Sequence, residues 1–289
     1  MKVYELFTGL GGFGLALKNT LPDHEVVLWS EIDRHAISTY ESHFPEWKGR
    51  NVGDIGRTVF DIDSKGRWEA NEFRVSCLPD ADLIVGGSPC QDLSIAKGRR
   101  HGLIGEKSFL FYAFSEIVRI KNPKYFLLEN VASMDRASRD EITNILEVEP
   151  VEICSDYFTP QKRKRLHWFN WDLKESLPDY NLAPRWPGLE AWSSSNDYHP
   201  ETGVHLGRRE RCTKDGRANT LTTGKGCSSR SSRNTIDGRL LTPEECEQLQ
   251  ALPIGWTAGV PESQRYKQVG NAVTVSVVEY ILRSLRSEL

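Results

Sequence analysis

An α/β protein, with a parallel sheet carrying helices on both faces, is the fold class the sequence predicts, and three observations carry that prediction. Short apolar runs that suit buried strands recur at 2–7, 26–29, 81–87 and 125–128. Segments of helical periodicity lie between them. Glycine-rich turns follow the first and third runs, at Gly9-Leu10-Gly11-Gly12 and at Gly86-Gly87. Strands that alternate with helices require crossover connections, and crossovers cover both faces of a sheet.

The elements follow in chain order. The first run leads through its glycines into a helix over Leu15, Ala16 and Leu17. Val26-Val27-Leu28-Trp29 is the second strand, followed by a helix from Asp33 to about Phe44. The third strand ends in the segment Gly86-Gly87-Ser88-Pro89-Cys90-Gln91. Phe111, Phe114, Ile117 and Val118 predict a helix near 108–121, and Tyr125-Phe126-Leu127-Leu128 another buried strand. From about Asn170 the texture changes. Pro178, Pro184, Pro187 and Pro200 interrupt any period, and Ser193-Ser194-Ser195-Asn196 reads as a loop. Helical periodicity returns at Pro243–Leu252 and Val273–Leu285. The chain is expected to leave a first domain, build a small irregular one and come back.

The formal net charge of the 289 residues is −3, so no global basicity announces a nucleic-acid partner. A local basic face would suffice. Residues 207–233 supply one, with eight Lys or Arg against Glu210 and Asp215, a local charge of +6. Their interleaving with Gly, Ser and Thr suits phosphate contact, and a solvated face is the alternative. Six scattered cysteines form no Cys-x-x-Cys pair, which argues against a zinc site or a disulfide framework and for reduced thiols inside a cell. No signal segment and no apolar stretch of membrane-spanning length is read, so the expectation is a soluble, intracellular protein.

Five places carry candidate chemistry. Phe7-Thr8-Gly9-Leu10-Gly11-Gly12 follows a strand and opens a helix, where glycine lets backbone N–H groups approach a ligand closely. Glu31 ends the second strand, where an acidic side chain commonly takes ribose hydroxyls, so an adenosine-bearing cofactor is expected. Cys90 sits between a strand end and a Gly/Ser/Pro-rich loop, a placement for nucleophilic attack that also suits a buried cysteine in a turn. Glu129-Asn130-Val131 ends a strand beside that loop and offers an acid or hydrogen-bond partner, or simply an exposed carboxylate. In Gln161-Lys162-Arg163-Lys164-Arg165, extended backbone would put Arg163 and Arg165 on one face, able to hold a carboxylate or phosphate, or to form a plain basic strand end.

Taken together and in this order, these segments resemble the DNA cytosine-5 methyltransferases over nearly the whole chain. Phe7–Gly12 is similar to the family's S-adenosylmethionine loop, Glu31 to its ribose-binding acid and Asp54-Ile55 to its adenine-contacting pair. Pro89-Cys90-Gln91, Glu129-Asn130-Val131 and Gln161-x-Arg163-x-Arg165 resemble its nucleophile, Glu-Asn-Val and Gln-x-Arg-x-Arg motifs. Arg239–Glu245 with Leu249-Gln250 resembles its late helix, and Gly270-Asn271-Ala272-Val273 its closing cofactor motif. The wording around Cys90 is close to the animal de novo enzymes, whereas Gln91 and Asn271 match the bacterial ones.

The resemblance implies a Rossmann-like methyltransferase sheet over residues 1–169, a target-recognition domain over 170–238 and a return to the catalytic domain over 239–289. It implies a thiolate at Cys90 adding to carbon 6 of a cytosine flipped out of duplex DNA, so that carbon 5 can take the methyl group. Glu129 would meet the N3 and amino edge, Arg165 would hold O2 and orient Glu129, and Arg163 would support the active-site loop. Phe7, Gly9, Leu10, Gly11, Gly12, Glu31, Ile32, Asp54, Ile55, Pro89, Leu110, Asn271, Ala272 and Val273 would bind S-adenosyl-L-methionine, leaving S-adenosyl-L-homocysteine as product. Gln91, Ser94, Lys97, Arg99 and Arg100, then Thr220, Thr222, Thr223, Lys225 and Arg230, would face DNA. No metal is implied, a monomer is expected, and the setting is the cytoplasm of a bacterium, or a phage, in restriction–modification or genome protection. A transfer-RNA cytosine-5 methyltransferase and a catalytically dead regulator are the alternatives. Asp92-Leu93-Ser94 in place of the RNA enzyme's Pro-Phe-Thr speaks against the first, and the intact Cys90, Glu129, Arg163 and Arg165 against the second.

Overall fold

The structure, a computed structural model, describes residues 1–62, 64, 68–89, 110–198, 205–229 and 232–289, with the backbone alone for 192–198 and 205–211. Its elements are β1 (Lys2–Leu6), α1 (Gly12–Thr20), β2 (Glu25–Ser30), α2 (Arg34–His43), α3 (Ile55–Val59), β3 (Phe60–Ile62), β4 (Trp68–Ala70), α4 (Glu72–Ser76) and β5 (Leu83–Gly87). There follow α5 (Leu110–Lys121), β6 (Tyr125–Val131), α6 (Arg136–Leu146), β7 (Val151–Cys154), β8 (Gln161–Lys162), β9 (Lys164–Phe169), β10 (Leu189–Tyr198) and β11 (His205–Thr213). The chain ends with β12 (Ala218–Asn219), β13 (Ser232–Ile236), β14 (Arg239–Leu240), α7 (Pro243–Leu249), α8 (Glu262–Asn271) and α9 (Val275–Arg286). It divides into two compact units, one of residues 1–153, 164–175 and 278–289, the other of 154–163 and 176–277.

The first unit holds a six-stranded sheet in the order β2-β1-β5-β6-β9-β7. β1 runs parallel to β2 and β5, and β5 parallel to β6, while β9 is antiparallel to β6. The strands are apolar on both faces, as a sheet covered on both sides must be. Tyr4, Leu6, Ile84, Phe126, Leu128, Leu166 and Trp168 pack with Ile55 and Val59 of α3, Phe111, Phe114 and Ile117 of α5 and Ile142 of α6. The opposite face meets α1 and α2, because Glu5 between Tyr4 and Leu6 accepts from the N–H of Gly14 and the hydroxyl of Tyr40. α2 begins one residue after Asp33, whose carboxylate caps it by accepting from the His35 N–H.

In the second unit β10 pairs antiparallel with both β11 and β13, and β13 with β14, giving the sheet β11-β10-β13-β14. The expected loop at 193–196 is therefore the middle of a ten-residue strand, and the domain expected to be irregular has a sheet. Serine and asparagine have weak strand preference, but the pairing with β11 runs along the whole stretch and engages their backbone. The expected helix over 243–252 stops at Leu249, because Ala251 adopts a left-handed φ of +58° and Pro253 follows.

A buried polar network ties this unit together. The Gln250 amide donates to the Val269 and Ala272 carbonyls and accepts from Gln161 Nε2 and Thr274 Oγ1. Gln161 also donates to the Leu249 carbonyl and accepts from the Leu221 N–H. Arg163 donates to the carbonyls of Leu221, Gly270 and Ala272. Both glutamines are fully buried, so each lost bond leaves a partner unsatisfied. Gln250→Leu is expected to destabilise the protein by about 3 kcal/mol in urea unfolding, well beyond a surface substitution.

Glu5 is fully buried, and burial pushes its carboxyl up from 4.5 to about 8 against the opposing pull of its two donors. A raised acid costs nothing while protonated and costs progressively more as pH climbs from about 4.5 to about 8. Glu5→Gln should therefore gain thermal stability relative to the parent between pH 5 and pH 8.5, by about 3 °C or more. A constant difference in melting temperature across that window would contradict the assignment.

Candidate functional site

Strand order reverses at β1, which has β2 on one side and β5 on the other. In an open α/β sheet the crevice beyond the carboxyl ends at such a point is where ligands bind. Here the cavity at that point is lined by Phe7, Ser30, Glu31, Ile32, Gly53, Asp54, Ile55, Pro89 and Leu110. Seven of these residues were expected from the sequence. Ser30 and Gly53 were not, because a lone serine at a strand end and a glycine in a turn carry no motif.

The backbone around the cavity is held in unusual conformations. Phe7 has a left-handed φ of +58°, rare for a bulky residue, and its N–H donates to Ser30 Oγ at 3.1 Å. Gly11 has a φ of +92°, and a side chain there would meet the Phe44 ring at 2.7 Å, so only glycine lets α1 start where it does. Leu10 is buried behind the loop and Gly12 is the first residue of α1. The Glu31 carboxylate accepts from the N–H of Gly9 at 2.9 Å and from those of Ile32 and Asp33 at 2.8 Å, joining the glycine loop to the end of β2. Asp54 caps α3 through the Gly56 N–H. Ile32 is 70% exposed although apolar, a surface suited to a flat apolar partner.

Further along the same sheet edge, Glu129 lies near the end of β6, opposite Gly87 of β5 and His167 of β9. A side chain at Gly87 would come within 3.0 Å of Glu129 Oε2, so glycine leaves room for the carboxylate. Arg165 Nε pairs with Glu129 Oε1 at 2.9 Å, with both side chains largely buried. Asn130 donates to Ser88 Oγ at 3.0 Å and fixes the end of β5 against that of β6. Burial drives the His167 imidazole down to about 3, so it stays neutral beside this ion pair.

Arg163 and Arg165 do not share a face. Arg163 interrupts the extended run between β8 and β9 and spends its guanidinium on three carbonyls, whereas Arg165 meets Glu129. Asn271, Ala272 and Val273 lie in the second unit, where the Ala272 carbonyl accepts from Arg163 and Gln250. Of the threonine-rich segment, the Thr220 hydroxyl donates to the Lys162 carbonyl and the Thr222 hydroxyl is enclosed, while Thr223 and Lys225 are exposed. Cys90, Gln91, Ser94, Lys97, Arg99, Arg100 and Arg230 lie outside the described residues. Among the described residues no group of three or more His, Cys, Asp or Glu side chains could hold a metal ion, and no helix is long and apolar enough to cross a membrane.

Comparison with known proteins bears on the whole chain. The family model for C-5 cytosine-specific DNA methylases matches residues 1–180 and 190–287. The type II methyltransferase M.HhaI of Haemophilus parahaemolyticus is 30% identical over 332 residues, spanning 100% of this chain and 95% of that protein. M.NlaX of Neisseria lactamica, also a type II methyltransferase, is 26% identical over 100% of this chain and 97% of its own. The fold is shared with a Dnmt2 mutant from Spodoptera frugiperda (TM-score 0.67, 17% identity, 98% of this chain and 99% of that one). It is shared as well with the Entamoeba histolytica methyltransferase EhMeth (TM-score 0.67, 15% identity, 100% and 98%). The chain belongs to the C-5 cytosine-specific DNA methylases and is a DNA methyltransferase.

Proposed function

We propose that the chain methylates carbon 5 of a cytosine flipped out of duplex DNA, through a covalent bond between Cys90 and carbon 6. The observation that carries this reading is the buried Glu129–Arg165 pair at the carboxyl edge of the sheet, on the strand next to the one that leads into Pro89-Cys90. Carbon 5 of cytosine is too electron-poor to attack a methyl donor directly. The Cys90 thiolate forms a bond to carbon 6, and the displaced electron pair makes carbon 5 nucleophilic. Glu129 faces the N3 and amino edge and stabilises the charge that develops there, while Arg165 holds the Glu129 carboxylate in place and meets O2. After methyl transfer, loss of the carbon 5 proton and expulsion of the Cys90 thiolate restore the aromatic ring.

The cavity suits an adenosine-bearing donor. Glu31 and Asp54 offer carboxylates to ribose hydroxyls and an exocyclic amine, and Ile32 and Phe7 offer apolar surface to a flat base. S-adenosyl-L-methionine, when bound, supplies an electrophilic methyl group on a sulfonium and leaves as S-adenosyl-L-homocysteine. Asn271, Ala272 and Val273 carry the wording of the family's closing cofactor motif. Arg163 acts as a positioning residue, since its donors are spent within the protein. Residues 170–238 form the target-recognition domain, with Thr223, Lys225 and the basic stretch 207–233 towards phosphate. Gln91, Ser94, Lys97, Arg99 and Arg100 contact the DNA beside the extruded base in this reading.

Transfer of labelled methyl groups to duplex DNA and to transfer RNA tests this directly. Methylation of DNA alone is expected; methylation of RNA alone, or of neither, would overturn the proposal. Cys90→Ser should abolish transfer while leaving DNA binding measurable, and normal turnover in that variant would remove the nucleophile assignment. Glu129→Gln should lower kcat by about a hundredfold or more.

A further inference from the structure

We propose that Asn51 is a positioning residue for the cofactor, setting the separation between the two carboxylates that face the adenosine half. This rests on the cofactor reading of the cavity given above. The two walls come from different segments. Glu31 and Ile32 stand at the end of β2, whereas Gly53, Asp54 and Ile55 belong to the turn before α3. Asn51 joins them. Its Oδ1 accepts from the Glu31 N–H at 3.2 Å and from the Gly53 N–H at 2.9 Å, and its Nδ2 donates to the Glu31 carbonyl at 3.1 Å. Two N–H groups on one atom and a carbonyl on the other fix the amide orientation without ambiguity.

The arrangement continues a strand pairing beyond the last residue of β2. Backbone bonds run from the Trp29 N–H to the Arg50 carbonyl and from the Val52 N–H to the Trp29 carbonyl, making Trp29 and Asn51 a parallel bridge. Beyond that bridge no strand follows, and the Asn51 side chain takes both polar groups of the Glu31 backbone as a neighbouring strand would. The same oxygen holds Gly53, whose left-handed φ of +68° turns the chain into Asp54. Asn51 is not among the residues lining the cavity, so it acts through Glu31 and Asp54. Aspartate at this position would keep the accepted bonds but set a carboxylate oxygen against the Glu31 carbonyl.

The test is calorimetric binding of S-adenosyl-L-homocysteine and of adenosine to the full chain, with steady-state methylation alongside. Asn51→Ala should weaken both ligands by about tenfold and raise the KM for S-adenosyl-L-methionine in proportion, with kcat at saturating donor and the Kd for duplex DNA within about twofold of the parent. Asn51→Asp should fall between the two, and it serves as the test if the alanine variant does not fold. In a Glu31→Ala background the effect of Asn51→Ala should shrink to about threefold or less, because the group it positions is gone. Unchanged ligand binding in Asn51→Ala, or full additivity with Glu31→Ala, would overturn the inference. Failure of the parent protein itself to bind S-adenosyl-L-homocysteine would instead overturn the cofactor reading.

Discussion

β5 pairs with β1 on the side opposite β2, and most of the site descends from that pairing. Consecutive strands on one side of a sheet would leave no gap between the loops at their carboxyl ends. With β2 and β5 on opposite sides of β1, a crevice opens beyond the carboxyl ends of these strands. Phe7 enters it from β1, Ser30, Glu31 and Ile32 from β2, and Pro89 from β5. The glycines are the condition for this: with a side chain at Gly11, α1 could not pack against Phe44 and the loop would be displaced. Ser30 and Glu31 then hold the loop by accepting its Phe7 and Gly9 N–H groups.

The proposed chemistry lies one strand further along. β9 enters antiparallel beside β6, which brings Arg165 alongside Glu129 at the carboxyl edge. Burying both charges costs desolvation, and such a pair is weak evidence for stability. Its value lies in fixing a carboxylate in one orientation at a place where Gly87 leaves space for it. The neutral His167 in register with Glu129 adds no competing positive charge. Arg163, two residues away in sequence, serves a different end, because it falls between β8 and β9 and its guanidinium donates to the carbonyls of Leu221, Gly270 and Ala272.

The sequence revealed the parallel part of the sheet well, since β1, β2, β5 and β6 are short apolar runs that report burial on both faces. It also revealed most of the cavity, because Phe7, Glu31, Asp54 and Pro89 sit where strands end. It hid what depends on pairing. The serine-rich stretch 193–196 has the composition of a loop, and only its antiparallel pairing with β11 makes it a strand. Alternation suggested that Arg163 and Arg165 would act together, and the break at Arg163 separated them. Gln161 and Gln250 could be recognised as motif residues, but not that each amide would be used up inside the second unit. Ser30 and Asn51 gave no signal at all, since their roles come from backbone groups brought near by the fold.

The central claim is that Cys90 attacks carbon 6 of a cytosine, and a substrate that stalls after that step tests it most directly. Duplex DNA carrying 5-fluorocytosine accepts the thiolate and the methyl group, but fluorine cannot leave as the proton does, so the bond to sulfur persists. In the presence of S-adenosyl-L-methionine the account predicts a denaturation-resistant complex whose mass is the sum of protein, DNA and one methyl group, attached at Cys90 and lost in Cys90→Ser. No such complex from active protein, or one attached at another residue, would contradict it.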